Sequence, residues 1–312
     1  MAHLIESMMY VGPEPWHGLG KEIPEGKRLT VNEAIAASGL NWEVDLRPVF
    51  AEGRHKEKLE ICDQYAVCRQ GDNKVLGIVG PDYVPLQNKD AFEWFQPFLD
   101  SGNATIETAG SIKKGKQVWV LAKIRSGEMT VGDNDEIANY ILLSNSHDGS
   151  ISVKVGFTPI RVVCNNTLCM AHESKASKLL RVRHTGRLLE NLESIREIMD
   201  LANREFYATV EQYRMLIKRK IHRGDLERYV KIIFSLPDNT GKELVPNVVH
   251  LFDHGRGSDM AGRTYWGAYN AVNEYLNYFR GRTQDNTLGS LWFGDSARIN
   301  KRALDVAIEM VA

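Results

Sequence analysis

Hydrophobic and polar positions alternate one by one through much of the first half of the chain. In the last third they recur every three to four residues. The first period belongs to half-buried strands and the second to amphipathic helices. The runs "WEVDLRPVF", "LEICDQYAVC" and "KVLGIVG" alternate and are separated by Gly, Asp and Asn, which predicts hairpins. "TIETAGSI" and "QVWVLAKI" flank Lys-Lys-Gly-Lys in the same way, and "NYILLSNS" and "ISVKVGF" flank residues 147–150. Two helices interrupt the strands. One covers residues 31–38, with Thr30 as its N-cap and Gly39 as its stop. The other is "NKDAFEWFQPFLDSG", capped by Asn88 and kinked at Pro97.

After about Thr185 the period changes. Residues 188–222 predict one long helix, with Leu188, Leu192, Ile195, Met199, Ala202, Phe206, Thr209, Tyr213 and Leu216 at alternating steps of four and three. Such a heptad stripe serves either the chain's own core or a seam between subunits, and a homo-oligomer is expected through it. "DLERYVKIIFSL" predicts a helix capped by Asp225, and "SARINKRALDVAIEMV" one capped by Ser296. "TYWGAYNAVNEYLNYFRG" predicts a third, aromatic on several faces and mainly structural. The expected fold class is α+β: an antiparallel, β-hairpin-rich N-terminal part with inserted helices over residues 1–184, and a helical C-terminal region over 185–312.

Charge adds a direction. The chain carries a formal net charge of −1 at pH 7, which speaks against a uniformly basic nucleic-acid binder. The distribution is uneven. Residues 154–187 hold Lys154, Arg161, Lys175, Lys178, Arg181, Arg183 and Arg187 against Glu173 alone, a net charge of +6. Residues 214–231 carry +5, so the remainder carries −12. Two basic patches on an acidic body result. No window has the roughly 18 uninterrupted apolar residues of a membrane span. The N-terminus lacks a basic region followed by an apolar core, so no secretory signal is expected. The four cysteines imply no disulfide framework, and a cytoplasmic location with no membrane contact is the expectation.

Candidate chemistry is sparse. His147-Asp148 has the residue types of a metal phosphohydrolase, yet Asp148-Gly149 is a favoured hairpin dipeptide and both flanks alternate. His250 and His254 share a helix face, but Leu251 stands where a metalloprotease helix has Glu. The cysteine spacings are too long for a usual structural zinc site, and neither a metal nor another cofactor is expected. "HGRGSDMAGRTYWG" is glycine-rich and leads into a helix; its Arg256 and Arg263, with His147, are candidate secondary anion contacts. The basic run from Lys154 is interleaved with Phe157, Asn165, Asn166, Ser174 and Ser177, groups that stack on bases and contact phosphates. Lys154, Arg161, Lys175, Lys178, Arg181 and Arg183 are therefore the candidate nucleic-acid-binding residues, and single-stranded DNA the candidate partner. No catalytic residue is expected.

"EPWHGLG", the block "LLSNSHDGS…PIRVVCNNTL", and "GRTYWGAYNAVNEYLNYFRG" together resemble the phage/plasmid-like proteins, a family of unknown function carried by bacteriophages, plasmids and integrated elements. The resemblance implies an accessory protein of a mobile element. In outline, hairpins with a helix across them are also similar to the Rad52-like single-strand annealing fold. Two further classes stay open: a counter-defence or other accessory protein that binds a host protein through its acidic body and aromatic C-terminal helices, and a metal-dependent hydrolase built on His147, Asp148, His250 and His254.

Overall fold

The computed structural model describes residues 5–12, 19–125, 129–161, 166–167, 181–237, 241–280, 290–291 and 294–312; at 157, 158, 161, 166–167 and 193–205 it describes the backbone alone. The strands are β1 (Ile5–Val11), β2 (Lys21–Ile23), β3 (Val44–Glu52), β4 (Lys58–Arg69), β5 (Lys74–Val79), β6 (Ala104–Ile112), β7 (Gln117–Ile124), β8 (Met129–Val131), β9 (Asp135–Ser146), β10 (Val153–Arg161), β11 (Asn166–Thr167) and β12 (Arg181–Val182). The helices are α1 (Val31–Ser38), α2 (Asn88–Glu93), α3 (Gln96–Asp100), α4 (Leu188–Ile217), α5 (Arg223–Ile233), α6 (Leu244–His254), α7 (Ser258–Ala261), α8 (Tyr265–Glu274) and α9 (Asp295–Val311). A π-helical turn, Tyr275–Phe279, follows α8. The protein is α+β, with antiparallel sheets in the N-terminal part and helices in the C-terminal part. Among the described residues no helix is long and apolar enough to cross a membrane.

Packing divides the chain into two compact units. The first takes Met1–Arg125, Ile141–Gly156 and Ser174–Met199; the second takes Ser126–Tyr140, Phe157–Glu173 and Asp200–Ala312. These units interleave along the sequence, where a single cut at 184/185 was expected. The chain changes unit within β9, β10 and α4.

In the first unit, β6 pairs antiparallel with β7 and with β1, and β1 carries β2 in parallel. β7 is buried along nearly its whole length. A separate three-stranded sheet runs β3-β4-β5, and Val44, Val67, Leu76 and Val79 form its core. α1 starts as the sequence predicts. The Thr30 hydroxyl accepts from Glu33 N, the Glu33 carboxylate accepts from Thr30 N, and Gly39 closes the helix in the left-handed region. The expected helix from Asn88 is instead two short ones, α2 ending at Glu93 and α3 starting at Gln96 with Pro97 in its first turn, and Gln87 holds the cap position of α2. Asn88 is not free to cap, because its side chain amide donates to the Leu40 and Trp42 carbonyls.

In the second unit, β8 pairs with the start of β9, and β11 pairs with the end of β10. Its core gathers Phe206, Val210, Tyr213 and Leu216 of α4 with Tyr229, Trp266, Tyr269, Leu276 and Leu304. Every residue of α8 is buried, and Trp266 Nε1 donates to the buried Asp135 carboxylate at 2.7 Å. An interface built on the aromatic C-terminal helix is thus overturned for α8: those rings are core. Two other caps shift. His222, not Asp225, precedes α5, and Gly294, not Ser296, precedes α9. Ser296 is buried in the first turn of α9, where its hydroxyl meets Ser290 Oγ at 3.0 Å and Arg280 at 3.2 Å.

The heptad stripe is spent internally wherever it is described. Leu188 and Leu192 are buried in the first unit; Phe206, Thr209, Tyr213 and Leu216 are buried in the second. The side chains of Ile195, Met199 and Ala202 lie outside the described residues. At the described positions the stripe therefore supplies no seam, because one face cannot pack inward and meet a partner too.

Candidate nucleic-acid interface

The turn from β9 to β10 positions the residues of interest. His147 sits at its start with no exposed surface. Its Nε2 lies 3.0 Å from Asn88 Oδ1. Both amide donation sites named above belong to Asn88 Nδ2, so Oδ1 accepts and His147 Nε2 carries the proton. That tautomer leaves Nδ1 a buried acceptor without a donor. Burial drives the His147 pKa down to about 3; the neighbouring His184 adds to this, and Asp148 opposes it. The imidazole is neutral near pH 7 and packs against Trp42, ring centroids 5.1 Å apart.

Asp148 faces elsewhere. Its Oδ1 accepts from Ser150 N at 2.9 Å, closing the turn, and Gly149 takes φ +71° to complete it. The pair is a structural turn, with one side chain in the core and the other bonded to its own backbone. Gly77 of β5 lets the turn pack closely: a Cβ there would lie 2.5 Å from Asp148 Cα.

β12 brings the basic residues together. Val153 pairs with Val182, and Lys154 pairs with Arg181. Cross-strand partners share a face, so Lys154 and Arg181 stand side by side. Burial lowers the Lys154 pKa, and Arg181 lowers it further. Exposure alternates beyond the strand: Arg181 and Arg183 are exposed, while Val182 and His184 are buried. Arg183 then joins Gly149, Ile151 and Ser152 of the turn around a cavity of about 390 Å³, whose other wall includes Tyr83 and His184. Tyr83 stacks on His184 with centroids 4.6 Å apart, and its hydroxyl donates to Ser146 O at 2.7 Å. His184 Nδ1 lies 3.0 Å from the Val84 carbonyl, and burial lowers its pKa.

Of the six predicted nucleic-acid contacts, Lys154, Arg181 and Arg183 share this region. Lys175 and Lys178 lie outside the described residues, and Arg161 has only its backbone described, paired with Asn166. The secondary anion contacts are divided between the units, His147 in the first and Arg256 and Arg263 in the second. His147 is buried and neutral, which removes it as an anion contact. Arg263 is bound to Asp253 at 3.0 Å, and Arg256 lies over the Tyr278 ring at 4.8 Å. The His250 and His254 rings stand 4.9 Å apart. Among the described residues no three His, Cys, Asp or Glu side chains converge as metal ligands.

Sequence reading passed over Tyr83, gave Asn88 only the role of a helix cap, and did not connect His184 with the turn. The signal for Tyr83 was the rigid "GPDYVP" segment that aims the ring; His184 was hidden inside the basic run, next to Arg183.

The fold and site define an α+β protein with a cation-bearing sheet edge beside a tight turn. The chain belongs to the DUF932 family, a domain of unknown function, whose model matches residues 75–292. It matches no curated protein and no solved structure.

Proposed function

We propose that the protein is a non-enzymatic single-stranded DNA-binding protein of a bacteriophage or plasmid, acting in the bacterial cytoplasm as a homo-oligomer and promoting annealing of complementary strands. One observation carries the reading: Lys154 and Arg181 are direct cross-strand partners, with Arg183 two residues on at the rim of the cavity. Like charges placed opposite one another weaken a strand pair. A polyanionic backbone offsets that cost. The Tyr83 and His184 rings in the same cavity supply the apolar surface on which a base stacks. Arg161, Lys175 and Lys178 extend the groove in this reading. The annealing role draws on the sheet-and-helix outline alone.

Gel shifts with single- and double-stranded oligonucleotides at two salt concentrations test it. Each phosphate neutralised on a single strand contributes about −0.7 to the log–log salt slope. Changing Arg181→Glu together with Arg183→Glu should abolish binding without unfolding the chain, since both side chains are exposed. Wild-type protein that binds no oligonucleotide at low salt, or a double variant that binds like wild type, sinks the reading.

A second reading is an accessory protein that docks on a host protein. It is favoured by the end of the β3–β4 hairpin, where Phe50, Leu59 and Ile61 are 48%, 50% and 41% exposed. Co-purification of a host protein that is lost when these three are changed to Ser would support it.

A further inference from the structure

The second unit has a cavity of about 470 Å³ along α5, and none of its lining belongs to the strand-binding face. Three cations reach it. Arg228 and Lys231, three apart on α5, share a helix face, and Arg302 comes from α9. Among the described residues of the lining the one carboxylate, Glu227, is bridged by Arg223 at 3.6 Å. Among the described residues neither Arg228 nor Arg302 is paired with a carboxylate.

Ser235 makes the arrangement more specific. It follows α5 in the left-handed region, φ +52°. Leu236 N donates to Lys231 O at 2.9 Å and Ser235 N to Ile232 O at 3.2 Å, the crossed pair of bonds that ends many helices. Glycine suits that position, and a side chain there is strained. Here a serine takes it, and its hydroxyl accepts from Arg302 Nη1 at 2.6 Å. The strained residue holds the guanidinium at the cavity. The cavity also lies near the C-terminal end of α5, where the helix dipole disfavours an anion. Any anion is held by side chains alone, so affinity should depend sharply on each cation.

We propose that this cavity binds a phosphomonoester dianion, carried either by a small molecule or by the 5′ end of a strand. The Arg228 and Arg302 guanidinium forks suit a tetrahedral oxyanion, and the lining places the Lys231 side chain beside them.

The test is isothermal titration of the full chain with inorganic phosphate and pyrophosphate, followed by 5′-phosphorylated and 5′-hydroxyl oligonucleotides of one sequence. Arg302→Gln should weaken pyrophosphate binding at least tenfold. Ser235→Gly should weaken it several-fold while raising the melting temperature, a combination that a merely structural serine would not give. Tighter binding of the 5′-phosphorylated oligonucleotide, lost in Arg302→Gln, assigns the site to strand ends. Equal binding of the two oligonucleotides with retained pyrophosphate affinity assigns it to small phosphates. The Arg181→Glu/Arg183→Glu variant should keep its pyrophosphate affinity, which separates failure of this site from failure of the strand-binding face. No binding of phosphate or pyrophosphate at millimolar concentration, or unchanged affinity in folded Arg302→Gln and Arg228→Gln proteins, overturns the proposal.

Discussion

Two hairpins of the first unit began as the same pattern and ended in opposite environments. In both, alternating strands flank a polar turn rich in Gly and Asp or in charge. The β9–β10 turn is folded into the unit. Its His147 is fully buried against Trp42 and Asn88, His147 N donates to the Lys116 carbonyl at 2.8 Å, and Gln117 Nε2 donates to Ser150 Oγ at 3.0 Å. The β3–β4 hairpin projects beyond its third strand. β5 pairs with β4 only over residues 65–69, so residues 58–64 of β4 are exposed on both faces. Its tip closes on itself through Gly53 N to Glu57 O at 2.9 Å. Alternation fixes strand and register, and the burial of a face is decided by what the rest of the chain lays over it. For one turn that cover is Trp42, Tyr83 and Asn88; for the other, Lys58 over the Phe50 ring at 5.9 Å is a contact within the hairpin.

The largest effect that would separate the two hairpins is at His147. His147→Ala should cost about 2–4 kcal/mol, from the cavity and from the orphaned Asn88 oxygen. In the wild type the pH dependence has a definite sign. The folded pKa of about 3 lies below the ordinary histidine value of 6.5, so this contribution is fully present above about 6.5 and falls as pH drops towards 3. The slope is about 1.4 kcal/mol per pH unit in that window, and chemical denaturation from pH 7 to 4 measures it. His147→Asn should flatten the curve; an unchanged slope would mean that the turn is more open than described. A smaller loss, about 1–3 kcal/mol, is expected for Gly77→Ala, because the new methyl meets Asp148 backbone rather than a movable side chain. Thermal melts check it. The smallest effect belongs to the arm: Phe50, Leu59 and Ile61 all changed to Ser should shift stability by no more than about 0.5 kcal/mol per site. A cooperative loss of several kcal/mol would show that the arm is covered after all. A fall in sedimentation mass at unchanged stability would make it a self-association surface.

Much of the sheet was legible because its strands carry strict alternation and its turns carry their own chemistry. β3 to β7, β9 and β10 follow the predicted runs closely, and α1 follows its Thr30 and Gly39 signals. Short strands such as β2 and β8 span three residues each, too few for a period to show. Caps failed where a capping residue had a stronger competitor: Asn88 turned to Leu40 and Trp42, and Ser296 turned to Ser290 and Arg280. The site was half legible. Charge density marked Lys154, Arg181 and Arg183, but the pairing of Lys154 with Arg181 is a long-range register that no local pattern carries. The cavity along α5 was less visible still, since Ser235 and Arg302 are 67 positions apart.

The interleaving of the two units has a consequence at the ribosome. Ser126–Tyr140 belongs to the second unit, yet the body of that unit, Asp200–Ala312, is made later. β8 and the start of β9 therefore emerge with no helices to cover Val131 and Ile137, which end up in the same core as Tyr213 and Trp266. Domains made as contiguous stretches can fold in the order of synthesis. Here the first unit can close early only by looping out an apolar segment and holding it in reserve. A nascent chain stalled before α8 should expose that segment to chaperones, and release of the full chain should bury it in a single late step.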